Sequence, residues 1–340
     1  MYVHTCLVVG VGEMGRHWVR NLVGFDRVKI KGLVDIQPGA AAGVAEELKL
    51  TGVKTGDDLE RLLADVRPDF VVDVTVPAAH HDVTIHALAA GAAVLGEKPM
   101  ADSMHRAREM VAASERAGKL YMVSQSRRYN AQLAAMKTLI DASIGTLGFL
   151  TSDFFIDSHF GGFRREMKSP LLLDMAIHTF DAARYLMNDR AATSVYCEEF
   201  NPAWSWFAGD ACANALFEMA GGMRYSYRGS WCSEGRATSW ESQWRAGGSE
   251  GSAIWDGSGN PILDRVVERG AHQCRTEQTE APVASDVPGG IAGSLRDFVH
   301  ALDTGQPPMG ECHDNIKSLA MVFGAIESSA TGRRVNVEHL

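Results

Sequence analysis

The chain has no CxxC pair, no run of lysines and arginines, no low-complexity tract, no internal repeat and no uncharged apolar stretch of bilayer length. Each absence removes a class of function. A nucleic-acid or anionic-membrane surface needs clustered basic residues to release counterions or meet lipid charge. Here 33 Lys and Arg stand against 42 Asp and Glu, for a formal charge of −9. The longest uncharged apolar segment, 83–96, carries His86 and falls short of the roughly 20 residues that span a bilayer. We therefore expect no nucleic-acid partner and no membrane. The six cysteines, Cys6, Cys197, Cys212, Cys232, Cys274 and Cys312, are widely spaced, which predicts reduced thiols and a cytoplasmic setting. Residues 1–10 have no basic n-region and read as a first strand rather than a signal peptide.

What is present is an ordinary globular mixture, 46% apolar and 22% charged, in 340 residues, a length that favours two domains. Short apolar runs at 6–10, 30–35, 70–76 and 92–96 alternate with helix-like segments near 14–24, 38–50, 57–65 and 80–90. A helix at 102–117 and a strand at 119–123 come next. That alternation predicts βαβ units and a parallel sheet covered on both faces, over residues 1–123. Beyond a helix at 130–142, strand patterns appear at 148–156, 193–199, 211–218, 223–231 and 251–255. Glycine turns at Gly221-Gly222 and Gly247-Gly248 separate them, and an apolar helix at 170–187 interrupts them. Helices at 290–303 and 313–331 and a strand near 334–337 close the chain, so an α+β domain with an antiparallel sheet is expected over 124–340.

Three features carry chemistry. Gly10-Val11-Gly12-Glu13-Met14-Gly15 is a GxGxxG between a strand and a helix, where the glycines allow a tight turn, approach of a pyrophosphate, and close packing. Asp35 ends the next strand, 20 residues after Gly15, with no arginine directly behind it. A carboxylate there accepts from ribose hydroxyls and repels a 2′-phosphate, which favours NAD over NADP. The alternative is a glycine turn without a ligand. Second, Glu97-Lys98-Pro99 falls where a parallel strand ends, aiming Lys98 at the ligand crevice, where an ammonium stabilises a developing alkoxide. A surface lysine before a proline is the competing reading. Third, Asp174, His178, Asp181 and Tyr185 form one stripe on the helix 170–187. In apolar surroundings such groups either pair within the core or line a polar cavity, where His178 can take a hydroxyl proton and Asp174 orient it. No HExxH and no third ligand are present, so no metal is expected.

Arg127-Arg128-Tyr129 succeeds the last parallel strand, as substrate contact or as solvated linker charge; Phe163-Arg164-Arg165 is a weaker candidate of the same kind. Six of the seven tryptophans lie between 204 and 255, to stack on a sugar or to fill a sheet core or subunit contact.

With these motifs in this order, the chain resembles the glucose–fructose oxidoreductase, inositol dehydrogenase and rhizopine-catabolism (Gfo/Idh/MocA) family. The similarity runs through nearly the whole length, from Gly10-Val11-Gly12 through Glu97-Lys98-Pro99 and Asp174-x-x-x-His178 to Thr331-Gly332-Arg333. It implies a Rossmann dinucleotide-binding domain and a C-terminal α+β domain with a large open, mostly antiparallel sheet that forms a homodimer or homotetramer. It implies NAD held by Gly10, Gly12, Glu13, Met14, Gly15, Asp35, Thr75, Pro77, His80, Glu97 and Lys98, and a substrate met by Lys98, Arg128, Tyr129, Asp174 and His178. His80 as a surface residue is the alternative, with His81 adjacent. The implied reaction is hydride transfer between nicotinamide and a carbon of a sugar, cyclitol or related polyol, with His178 as acid/base, Lys98 polarising the oxygen, Asp174 assisting, and a cis Lys98-Pro99 bond. Lys168-Ser169-Pro170-Leu171 stands where many members carry a run of glycines, so the substrate's identity does not carry over. An NAD-dependent glycosidase with transient oxidation and a non-catalytic NAD-sensing regulator are the competing functions.

Overall fold

The computed structural model describes residues 2–285 and 288–340. The chain forms two compact units, Met1–Ser126 with Gly289–Ile316, and Arg127–Pro288 with Lys317–Leu340. The first unit thus takes back a late segment that a single boundary near residue 123 does not separate out.

The first unit is built on six strands: β1 (His4–Val9), β2 (Val28–Val34), β3 (Lys54–Gly56), β4 (Phe70–Asp73), β5 (Ala93–Gly96) and β6 (Tyr121–Val123). They run parallel in the order β3-β2-β1-β4-β5-β6, so the order reverses between β1 and β4. Leu7, Val8, Val71, Val72, Val94 and Leu95 have no exposed surface. Burial on both faces explains why these strands read as continuous apolar runs, each such side chain contributing about 1.5–3 kcal/mol. The short β3 was not expected, because its three residues carry no apolar run. Helices Leu59–Val66 and Met104–Ala117 begin at Asp58 and Ser103, whose side chains accept from the amides of Arg61 and Arg106. The returning helix Gly290–Thr304 sets Phe298 edge-on against Phe70, ring centroids 5.1 Å apart, which roots it in this core.

The second unit carries β7 (Leu147–Phe155), β8 (Ala192–Phe200), β9 (Cys212–Met219), β10 (Arg224–Ser230), β11 (Gln243–Gly248), β12 (Gly251–Trp255), β13 (Ile262–Glu268), β14 (Arg275–Glu280) and β15 (Val335–Asn336). Their order is β14-β13-β12-β11-β7-β10-β9-β8-β15. Every neighbouring pair is antiparallel except β7 with β10, which is parallel. Gly247 and Gly248 do not form the expected turn; they end β11, and the turn into β12 falls on Ser249-Glu250, while a Cβ on Gly247 would lie 2.2 Å from the Phe149 ring of β7. The helix 170–187 is not one regular α-helix: a π-helical turn, Leu171–Ala176, runs into an α-helix, Ile177–Leu186. Among the described residues, no helix is long and apolar enough to cross a membrane. All six cysteines are free.

Candidate active site

In the first unit, the predicted cofactor residues gather at the carboxyl edge of the parallel sheet. Val9 pairs with Val34 and with Asp73, and Asp73 pairs with Gly96, so Gly10, Asp35, Val74 and Glu97 all lie just past the last rung of their strands. The three glycines have different reasons. Gly10 sits at φ 85°, where a Cβ would come 2.6 Å from the Val74 carbonyl oxygen. A Cβ on Gly15 would lie 2.2 Å from the Gly10 carbonyl oxygen, so the helix Glu13–Val23 can pack on the turn only without a side chain there. Gly12, at the head of that helix, has nothing within 4 Å of its would-be Cβ. No described protein atom requires a glycine at 12; the free volume beside uncapped helix amides, Glu13 and Met14 among them, is what a phosphate needs.

The Asp35 carboxylate is oriented by the amides of Val11 and Gln37, both donating at 2.9 Å. It is thereby tied to the glycine turn, with lone pairs left for ribose hydroxyls. Thr75 and Pro77 flank the entry to the helix Pro77–Ala89. His80 is not a surface residue: it is 2% exposed, and its Nδ1 lies 2.9 Å from Asp73 Oδ2. Asp73 also accepts from the Thr75 amide at 3.0 Å and the Thr75 hydroxyl at 2.6 Å. Burial pushes the His80 imidazolium down, but the Asp73 carboxylate outweighs it, and the net shift is upward. Asp73 was missed in the sequence because it lies inside an apolar strand run; a carboxylate in a doubly buried strand is the signal that could have found it.

Glu97 accepts from the Trp18 indole at 2.7 Å and from the Lys98 amide at 3.1 Å. Burial raises its carboxyl above the usual range, against the opposing effects of Trp18 and the Lys98 charge. The Lys98-Pro99 bond is cis, as the resemblance implies.

In the second unit, Asp174 is buried in the π-helical turn and accepts from Arg164 Nε at 2.6 Å. Arg164 also lies over the rings of Phe160 and Phe163, which fix its direction. His178, in the first turn of the adjoining α-helix, is half-buried. The wider π turn sits at Asp174, a geometry that recurs where a helix must re-aim a functional side chain.

Arg128, expected to meet substrate, lies in a salt-bridge network. It is buried, with Nε and Nη2 donating to the two oxygens of Asp181 at 2.7 and 2.9 Å, and Nη1 to Asp189 at 2.8 Å. Ser318 donates to Asp181 at 2.7 Å and accepts from Arg184 at 2.9 Å. A buried guanidinium requires such bidentate pairing, so Asp181 leaves the polar stripe for a structural network. Tyr129 is buried, and Arg127 contacts Thr179 at 3.3 Å and the Trp240 carbonyl. Of the tryptophans, Trp231, Trp244 and Trp255 are sheet core, Trp244 facing Trp255 across β11 and β12, whereas Trp204 and Trp240 are exposed. Glu311, Cys312 and His313 in the first unit bring three ligand-type atoms within 4.8 Å of one another. Burial and the adjacent Glu311 raise the Cys312 thiol far above its ordinary value, so it is protonated.

A family model described as an oxidoreductase family with NAD-binding Rossmann fold (GFO_IDH_MocA) matches residues 4–125, and the GFO/IDH/MocA C-terminal domain matches residues 104–254. The chain is 29% identical over 351 residues to uncharacterized protein y4oX of Sinorhizobium fredii, covering 98% of this chain and 96% of that one. It is 25% identical to the 1,5-anhydro-D-fructose reductase of Ensifer adhaerens, over 97% of this chain and 98% of that one. A crystal structure of an oxidoreductase from Agrobacterium radiobacter in complex with NAD+, L-tartaric acid and magnesium superposes with a TM-score of 0.86 over 99% of both chains, at 20% identity. That last likeness is one of fold. Because matched models of one family succeed each other along residues 4–254, on the parallel sheet and then on the sheet with the Asp174-His178 helix, the chain belongs to the Gfo/Idh/MocA family of NAD-binding oxidoreductases.

Proposed function

We propose that this protein is an NAD-dependent dehydrogenase or reductase that acts on a hydroxyl-bearing carbon of a sugar, cyclitol or related polyol. The observation that carries the reading is the helix over 171–186. It is apolar nearly throughout, yet it buries Asp174 against Arg164 and leaves His178 half-buried one turn on. A buried carboxylate costs several kcal/mol unless partnered, and the Arg164 guanidinium, donating to Asp174 at 2.6 Å, answers that cost. The similarity to a 1,5-anhydro-D-fructose reductase supports a sugar-like substrate.

The cofactor residues fit NAD: the open volume at Gly12 accepts a phosphate, and Asp35, held by two amides, accepts from ribose. When bound, NAD supplies the nicotinamide that exchanges the hydride. His178 acts as acid/base, taking the proton of the substrate hydroxyl during oxidation and returning it during reduction, a role worth about 10²–10⁴ in rate. Lys98 places its ammonium against the charge that develops on the oxygen. Asp174 stabilises the imidazolium and orients it. Tyr129 serves the substrate pocket, and the chain assembles as a homodimer or homotetramer through the face of the nine-stranded sheet that exposes Phe149, Tyr196 and Leu216.

The test is absorbance at 340 nm with NAD and a panel of monosaccharides and cyclitols. Net NADH formation with one of them is the expected result. Glycoside cleavage that requires NAD without net NADH would replace this reading with the glycosidase. NAD binding with no turnover across the panel would replace it with the regulator.

A further inference from the structure

We propose that Asp73 and His80 are a buried positioning pair that clamps the loop between β4 and the helix Pro77–Ala89 against the glycine turn, so that dinucleotide affinity depends on the pair. The inference rests on the NAD reading above. Asp73 is the last residue of β4 and has no exposed surface. Its carboxylate holds the segment immediately C-terminal to it, through the Thr75 amide, the Thr75 hydroxyl and His80 Nδ1. The loop so held includes Val74, whose carbonyl oxygen is the atom a side chain on Gly10 would strike at 2.6 Å. Loop and glycine turn are in direct backbone contact, and a displacement of one displaces the other.

A pair with a purely structural task would need only its partner. Here the carboxylate reaches forward to a loop hydroxyl and amide, and the histidine locks it from behind. His80 Nε2 is itself buried with no hydrogen-bond partner among the described residues, so the ring is held chiefly through Nδ1, where Asp73 would balance a positive charge on it. Burial disfavours that charge, Asp73 and Glu97 favour it, Lys98 opposes it, and the balance is upward. Tyr121 also faces Asp73, and Arg106 donates to the Ala78 carbonyl at the start of the helix. Because the folded value is raised, the ion pair is present below the ordinary histidine range near 6.5 and is lost as pH rises through the folded value. Above it, Asp73 keeps a hydrogen bond but loses its counter-charge.

The experiment measures the Kd of NADH by fluorescence titration between about pH 6 and 9 on the full-length wild type, Asp73→Asn, His80→Gln and Thr75→Val. The His80 ring signal is tracked by NMR without cofactor. The wild-type Kd should rise roughly tenfold along the same curve as the His80 titration. Asp73→Asn and His80→Gln should bind roughly tenfold more weakly at low pH and show a flat profile. Thr75→Val should weaken binding but keep the profile, and it decides the matter should the Asp73 variant not fold. A wild-type Kd that ignores the titration of His80, or an Asp73→Asn variant with the wild-type profile, overturns the clamp. Failure of the wild type to bind NADH at all overturns the cofactor reading instead.

Discussion

Replacing Asp181 by alanine should destabilise the second unit without touching the chemistry. The change removes the acceptor of three hydrogen bonds, from Arg128 Nε and Nη2 and from Ser318. It leaves the Arg128 guanidinium, 1% exposed, in the core with Asp189 as a remaining carboxylate partner. Breaking a buried pair by deleting one partner costs about 3–5 kcal/mol. Because Asp189 still meets Nη1 and is itself 46% exposed, the lower end applies, about 3 kcal/mol. For a unit of this size that lowers the melting temperature by roughly 6–12 °C. Differential scanning calorimetry at neutral pH measures it. Replacing both residues, Arg128→Met with Asp181→Leu, should recover much of the loss, since apolar replacements of a buried pair are often neutral. A shift under about 2 °C for Asp181→Ala would refute the reasoning: Arg128 would then be available for substrate, as its place in the sequence suggests.

Gly12→Ala and Gly15→Ala should separate binding from folding. The first meets no atom within 4 Å, so it should leave the melting temperature unchanged while weakening NAD binding in calorimetric titration. The second drives a methyl group 2.2 Å from the Gly10 carbonyl and should lower stability by roughly 2–4 kcal/mol in urea unfolding. Burial, against a hydrogen bond from Ser169, pushes Glu199 up from 4.5 to about 7. A carboxyl raised in the folded state makes stability fall as pH rises from about 4.5 to about 7, and Glu199→Gln should flatten that slope in denaturant titrations at several pH values.

Much of this molecule is legible in its sequence because the informative groups are local. The glycine turn, the acid just past β2, the Glu97-Lys98-Pro99 corner and the Asp174-His178 spacing all lie within one strand end or one helix. What escaped has long-range causes. Gly247 reads as a turn until β7 brings the Phe149 ring against it. The strand β14 has every residue exposed, so it offers no apolar alternation to detect. The parallel pairing of β7 with β10 joins segments about seventy residues apart and leaves no local mark. The π-helical turn keeps the same apolar composition as an α-helix. Asp181 and Arg128 each looked functional, because a stripe of polar groups has the same spacing whether it meets a cavity or a partner 53 residues away. Asp73 was hidden by its own neighbours, Val71 and Val72 on one side and Val74 on the other.

The central claim is that Lys98 and His178 perform chemistry on a polyol carbon while the glycine turn holds the cofactor. Lys98→Ala and His178→Ala should each lower kcat by at least about 10² on the substrate found in the panel, with the Kd of NADH within a few-fold of wild type. Near-normal kcat in either variant would contradict the account.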